Sequence, residues 1–162
     1  MRAAGLLLIG LTLLAACAGP PPRPAPAAHE PVPVPAAPES EALGARVAAL
    51  ARGFIGTPYR YGGETPAGFD CSGLVYYVYR SLGVAVPRTA AELRASARRI
   101  PEDALAPGDL VFFYTPEDHV GIYLGGGEFV HAPATGHRVE RARLDAPYFI
   151  LGFAGAGRIS TL

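Results

Sequence analysis

A proline-rich segment near the amino terminus sets the strongest limit on what this chain of 162 residues can fold into. Residues 18–39 contain nine prolines, and the rest of the segment is mostly Ala and Val. Proline removes a backbone donor and disfavours helix in the residue before it, so this segment cannot build a packed core. We expect an extended spacer of about 60–70 Å, at roughly 3.1 Å per residue. The chain therefore divides into a leader (1–16), a tether (17–39) and one domain (40–162).

The leader resembles the signal peptide of a bacterial lipoprotein. Arg2 precedes an apolar run over residues 5–14, which is too short to cross a bilayer as a helix, and the run leads into the letters LAAC, ending at Cys17. The resemblance implies cleavage before Cys17 and acylation of that residue, with enough acyl chains for stable anchoring in a membrane of the cell envelope. In a Gram-negative host, Ala18 implies an outer-membrane anchor that faces the periplasm. An ordinary secretory signal is the alternative.

Charge and composition argue against a nucleic-acid partner. The chain carries 14 basic and 14 acidic residues, for a net charge of +0, and every basic residue is Arg. This balance offers no electrostatic footprint for nucleic acid and no polybasic membrane patch.

The pattern of the domain predicts helices first and strands afterwards. Apolar spacing predicts one helix capped by Ser40, a second that begins at Cys71 and stops at Gly83, and a short third that opens with a capping box at Thr89. This order is typical of an α+β fold in which amino-terminal helices pack on a central antiparallel sheet of about five strands. The predicted strands are Leu110–Tyr114, His119–Leu124, Glu128–Ala132, Arg138–Leu144 and Ile150–Arg158.

Cys71 is a candidate nucleophile. If Cys17 is acylated, Cys71 is the only free thiol and no disulfide can form within the chain. Cys71 follows a Gly-rich loop and opens a predicted helix, where the helix dipole favours thiolate and lowers the thiol pKa below its usual value of about 8.5. The alternative is a small, buried apolar cysteine.

Two histidines are predicted to lie on one face of a hairpin. A loop of three glycines, residues 125–127, would pair Leu124 with Glu128, which puts His131 diagonal to His119. The apolar side chains of both strands then fall together on the other face. A thiolate nucleophile needs a base and a group that orients the base, so we assign Cys71 as nucleophile, His119 as base and His131 as orienter.

A zinc site is the other use these three side chains could serve. Cys71, His119 and His131 could supply the three protein ligands of a catalytic zinc. However, the chain contains neither an HExxH nor a CxxC pattern. We therefore predict no metal and no other cofactor.

Four motifs, PYRYGG, GFDCSGLV, APGDLVFF and DHVGIYLGGGEFVHA, together closely resemble the NlpC/P60 family of bacterial cell-wall cysteine peptidases. The resemblance covers essentially residues 42–160. It implies a papain-like α+β fold and hydrolysis of peptide bonds in peptidoglycan stem peptides, commonly those that join D-glutamate to diaminopimelate. It also places the family's catalytic Cys, His and third polar residue at Cys71, His119 and His131.

The same resemblance implies roles for three further residues. Tyr61 matches a family tyrosine near the nucleophile, whose hydroxyl could stabilise the oxyanion together with the Cys71 backbone N–H, although loop packing is an equal alternative. Asp70 and Ser72 flank the nucleophile. In relatives that act on short free peptides, residues at these two positions help to bind the terminal amine of the substrate. Asp70 could equally be the N-cap of the helix.

One departure from many relatives bears on substrate choice. Those relatives carry SH3-like domains that restrict the cleft, whereas we expect only the tether before residue 40 here. We expect an open groove that accepts peptides still attached to the sacculus, including D,D-crosslinks. A catalytically silent peptidoglycan-binding or regulatory module and a related thiol amidase or acyltransferase are the rival functions, and a regulatory protein partner stays open.

Overall fold

The computed structural model of the protein describes residues 38–114 and 118–160. The predicted signal peptide, Cys17 and nearly all of the tether therefore lie outside the described residues. Helix α1 (Pro38–Arg52) begins two residues before the expected domain start, so Ser40 lies in its first turn and does not precede it as a cap. Among the described residues, no helix is long and apolar enough to span a bilayer.

Helices α2 (Cys71–Ser81) and α3 (Ala90–Ser96) begin where the sequence predicts. Helix α2 buries Leu74, Val75 and Val78 along one stripe. Helix α3 starts with the predicted capping box, since the Thr89 hydroxyl accepts from the Glu92 backbone and the Glu92 carboxylate accepts from the Thr89 backbone.

The domain is built on one antiparallel sheet of six strands, in the order β3-β8-β4-β5-β6-β7. The sequence predicts about five strands, and the additional one is β3. This strand carries no apolar pattern, because it holds only three residues, two of them exposed arginines. A separate two-stranded ribbon joins β1 to β2. The strands are β1 (Glu64–Thr65), β2 (Gly68–Phe69), β3 (Arg98–Ile100), β4 (Leu110–Phe113), β5 (His119–Gly125), β6 (Glu128–His131), β7 (Glu140–Arg143) and β8 (Phe153–Arg158).

The predicted strand Ile150–Arg158 is wrong in its first part. A short helix, α4 (Pro147–Gly152), occupies those positions, and β8 begins at Phe153. Proline is favoured at the first position of a helix because its missing N–H has no partner there in any case. A short apolar run does not by itself distinguish strand from helix. A one-turn 3₁₀ helix, Glu102–Ala104, precedes β4.

The sheet separates two apolar clusters. On one face, side chains of β5 and β6 such as Val120 and Val130 pack against Val47 of α1 and Val75 of α2. On the other face an aromatic cluster forms around Phe113, Phe129 and Phe149. Contacts among α1, α2 and β5 therefore hold α2 against β5. The amino terminus of α2 lies beside the first residues of β5.

The last strand, β8, lies inside the sheet between β3 and β4. Its Arg158 donates to both oxygens of the buried Asp109 carboxylate, at 2.6 and 2.7 Å. Asp109 also accepts from the Ala106 backbone, so it fixes the turn before β4. Beside it, the Tyr79 hydroxyl of α2 donates to the Gly108 carbonyl at 2.7 Å, and burial raises the pKa of Tyr79.

Candidate active site

The amino terminus of α2 is held by Asp70. Its backbone is extended (φ −91°, ψ 178°), and its Oδ1 accepts from the Gly73 N–H at 2.6 Å. This is the N-cap geometry expected of an aspartate in that position. Cys71 is thus the first residue of the helix and stays partly accessible, whereas Ser72 is buried and its hydroxyl donates to Asp70 Oδ1 at 3.2 Å.

The loop before β1 lies directly against this helix end. The Gly63 carbonyl accepts from the Asp70 N–H at 3.0 Å. A Cβ atom on Gly73 would overlap that carbonyl oxygen, and a Cβ on Gly63 would overlap the Gly68 carbonyl. Glycine is needed at both positions because backbone approaches backbone there.

His119 and His131 are in direct contact. His119 Nε2 lies 2.8 Å from His131 Nδ1, with the ring planes at 85° to each other. The strand register that the sequence predicts is confirmed by the pairs Ile122↔Val130 and Tyr123↔Phe129. Beyond them a bulge shifts the pairing to Gly125↔Glu128, so the hairpin turn is shorter than the predicted three-residue loop. The shift lies beyond the pairs nearest the histidines and does not alter their common face.

The contact fixes which ring nitrogens are available for chemistry. Because Nε2 of His119 is engaged by His131, Nδ1 is the nitrogen left to take a proton. When both rings are neutral and Nδ1 of His119 is unprotonated, the Nε2–H of His119 donates to Nδ1 of His131. The proton of His131 is then on its Nε2. That Nε2 is buried and has no hydrogen-bond partner among the described residues. The nearest carboxylate, Glu140 across β7, lies 3.9 Å away.

The sulfur of Cys71 lies beside the start of β5. The backbone N–H of Val120, the residue after His119, interacts with the thiol and opposes a rise in its pKa. Burial nevertheless dominates and raises the pKa of Cys71, and the neighbouring Asp70 carboxylate raises it further. The lowered pKa expected from the helix position is therefore wrong, because the cost of removing the thiolate from water exceeds the benefit of the helix amides.

Burial lowers the pKa values of the two histidines, whereas it raises that of the thiol. It lowers the pKa of His119 to about 4 and, with the proximity of His119 and His137, the pKa of His131 to about 3. The resting site therefore holds a neutral thiol and neutral imidazoles near pH 7. Transfer of the Cys71 proton to the imidazole is therefore unfavourable in the resting site, and it has to accompany attack of the sulfur on a substrate.

Tyr61 does not pack into its loop. Its side chain is 87% exposed and makes no hydrogen bond within the described residues. Loop packing, the alternative to an oxyanion role, is therefore not what the structure shows. The structure also brings no hydroxyl contact from Tyr61 to Cys71. His137, for which the sequence predicts no role in the site, is exposed in the segment before β7.

Arg88 is the residue that sequence reasoning missed. Its guanidinium donates to both Asp70 oxygens at 3.0 and 2.7 Å, to the Ser72 hydroxyl at 3.0 Å and to the Gly63 carbonyl at 3.3 Å. It also pairs with Glu64 of β1 at 3.0 Å. No local sequence pattern predicts this role, because the hydrogen-bond partners of Arg88 lie 16 to 25 positions away in the chain.

Within residues 38–114 and 118–160, no group of three His, Cys, Asp or Glu side chains is arranged to hold a metal ion. The site as described is a thiol at a capped helix terminus, beside a pair of hydrogen-bonded histidines.

Comparison with known proteins gives consistent matches. Residues 56–158 match the NlpC/P60 family. The chain is 45% identical over 115 residues to the murein DD-endopeptidase MepH of Escherichia coli K12, covering 66% of this chain and 42% of that protein. It is 40% identical over 92 residues to the gamma-D-glutamyl-L-lysine dipeptidyl-peptidase of Bacillus subtilis 168, covering 54% of this chain and 31% of that one. The chain thus spans less than half the length of these two relatives.

Among solved structures, the NlpC/p60 domain of the peptidoglycan hydrolase SagA superposes with a TM-score of 0.64 at 35% identity. The match covers 72% of this chain and 98% of that domain. The α+β fold expected from the sequence is confirmed.

Proposed function

The chain belongs to the NlpC/P60 family, and we propose that it is a cysteine peptidase that hydrolyses peptide bonds in peptidoglycan. The observation that carries the proposal is the geometry of the site: Cys71 opens a capped helix beside a strand whose His119 is hydrogen-bonded to His131 at 2.8 Å. A nucleophile, a base and an orienting group are the three parts that thiol catalysis requires. A silent binding module has no need of this set.

The first half of the proposed reaction forms a thioester. As the Cys71 sulfur attacks the carbonyl carbon of the scissile amide, its proton moves to Nδ1 of His119. The oxyanion faces the Cys71 backbone N–H, with the Tyr61 hydroxyl as a second donor when substrate lies over the exposed ring. His119 then gives the proton to the leaving amine as the C–N bond breaks.

The second half restores the enzyme. His119 removes a proton from water, whose oxygen attacks the thioester carbon. The C–S bond breaks, the acid product forms, and the proton returns to the Cys71 sulfur. His131 holds His119 in the tautomer that both halves need, with Nδ1 free to accept.

The names of the relatives support two kinds of scissile bond. One relative is named a DD-endopeptidase and another a gamma-D-glutamyl-L-lysine peptidase. We propose that the substrate is a murein stem peptide or its crosslink, cut at a D-Glu–diaminopimelate bond or at a D,D-crosslink. Asp70 and Ser72 flank the nucleophile in the chain, and both are hydrogen-bonded to Arg88.

Incubation of the full-length protein, kept in detergent, with intact sacculi and with defined muropeptides tests this function. We expect new amine and carboxylate ends, identified by mass spectrometry, and the fragment masses name the bond. The Cys71→Ala variant is the matched blank. Release of equal amounts of fragments by the two proteins would disprove the proposal. Binding to sacculi without any cleavage would favour the catalytically silent binding module.

We further propose that acylated Cys17 anchors the protein in the cell envelope, with the tether as spacer. The support is the LAAC sequence that ends at Cys17. When produced in a Gram-negative host, the protein should partition into the detergent phase of a membrane extract, and its Cys17→Ala variant should not. Release of both into the aqueous phase would show that Cys17 is not an anchor.

A further inference from the structure

Asp70 has two roles that conflict. Its carboxylate caps the helix that presents Cys71, accepting from the Gly73 N–H at 2.6 Å. The same negative charge sits one residue before the thiol and raises the pKa of Cys71. A cap of this kind favours the helix yet disfavours the thiolate that the helix is there to present.

The charged side chains that pair with one another at this end of α2 are Asp70, Glu64 and Arg88. Arg60 also lies in the loop before β1, where its backbone N–H donates to the Phe69 carbonyl. From the sheet, the titratable groups are His119 on β5 and His131 on β6, both neutral near pH 7 because burial lowers their pKa values. Arg88 is therefore the described cation that faces the Asp70 carboxylate at this end of α2.

Arg88 contacts Asp70 with two guanidinium nitrogens and is itself only partly exposed, at 30% of its side chain, while Asp70 is 14% exposed. A paired, partly buried fork of this kind holds its geometry better than a mobile surface pair. The Arg88 guanidinium also donates to the Ser72 hydroxyl, next to Cys71 in the chain, and to the Gly63 carbonyl of the loop before β1.

We propose that Arg88 is a positioning residue of the active site, which offsets part of the charge of the Asp70 carboxylate while leaving its capping oxygen in place. The carboxylate can then hold the helix terminus with less repulsion of the thiolate that forms during attack. The inference rests on the proposed role of Cys71 as nucleophile, but its test needs no substrate.

The test measures carbamidomethylation of Cys71 by iodoacetamide from pH 6 to 9.5, counted on the Cys71 peptide by mass spectrometry. Thiolate is the reacting form, so below the thiol pKa the rate falls tenfold for each unit by which that pKa rises. We expect Arg88→Gln to react about 3–10-fold more slowly than wild type at a given pH, since one uncompensated charge remains beside the sulfur. Arg88→Lys, which keeps the charge, should stay within about twofold of wild type.

Neutralising the carboxylate should have the opposite effect. Asn also caps helices well, so Asp70→Asn keeps the cap, removes the charge and should react about 3–10-fold faster than wild type. The double variant Asp70→Asn/Arg88→Gln should return close to the wild-type rate. Arg80→Gln is the matched control, because Arg80 lies at the far end of α2 and its guanidinium contacts the Tyr76 hydroxyl and ring.

The order of rates decides the inference. A wild-type rate in Arg88→Gln, or a double variant as slow as Arg88→Gln alone, would overturn it, since a purely structural role predicts no rescue by removing Asp70's charge. If Arg88→Gln fails to fold, the faster reaction of Asp70→Asn remains a test, and an unchanged rate there would also overturn it. Absence of peptide hydrolysis in wild type would instead count against the proposed function.

Discussion

Replacement of His119 by alanine is expected to lower kcat/KM for hydrolysis of a defined muropeptide by about 10³-fold, with Cys71 still present. His119 is the histidine at the start of β5, beside the residue that contacts the sulfur, and its Nδ1 is the ring nitrogen left free by His131. Without it, the thiol loses the imidazole that accepts its proton, and the raised pKa of Cys71 keeps the thiol protonated near pH 7.

Steady-state kinetics on the purified variant measures this effect. The matched control is His137→Ala, an exposed histidine that should stay within about twofold of wild type. Circular dichroism must show that each variant is folded, and His119→Gln, which preserves more of the side-chain volume, serves if alanine disrupts packing. A loss smaller than tenfold in a folded His119 variant would remove His119 from the role of base.

Acidification from pH 7 to pH 5 is expected to lower the free energy of unfolding by about 4 kcal/mol, about 2 kcal/mol for each of His119 and His131. Both pKa values lie far below the ordinary value of 6.5, at about 4 and about 3. As the pH falls below 6.5, the unfolded chain therefore binds protons that the folded protein does not. The stabilisation is fully present above pH 6.5 and is lost as the pH falls towards the folded pKa values.

Urea unfolding at half-unit pH intervals measures this slope. Most carboxyl groups titrate below pH 5, so the chosen window isolates the histidines. His131→Gln should reduce the loss between pH 7 and pH 5 to about 2 kcal/mol, whatever its effect on absolute stability. A wild-type slope near zero, or one that His131→Gln does not alter, would contradict buried neutral histidines.

The local parts of the site could be predicted because they rest on short-range rules. A period of two along β5 and β6, together with the glycine turn, sufficed to place His119 and His131 on one face, and even a bulge at Leu124 left that result intact. The capping box at Thr89 and the N-cap at Asp70 likewise involve residues only three positions apart.

The remaining features depend on contacts that a linear pattern does not contain. The ties from Arg88 to Glu64 and Asp70 join segments that only the folded chain brings together. The lowered pKa predicted for Cys71 is wrong for the same reason. Desolvation of the thiolate depends on which groups cover the sulfur and not on the position of Cys71 in a helix. Strand β3 pairs through its backbone with β8, so its arginines gave no apolar signal.

The position of β8 has a consequence for how activity arises during synthesis. Phe153–Arg158 is the last strand in the described chain, yet it lies between β3 and β4, where it supplies hydrogen bonds to both. A ribosome delivers Cys71, His119 and His131 before it delivers this strand. Pairings of such long sequence separation form late and slowly. The three side chains therefore lack a completed sheet to hold them until residue 158 has been made, and we expect a chain truncated before β8 to lose the arrangement of the site.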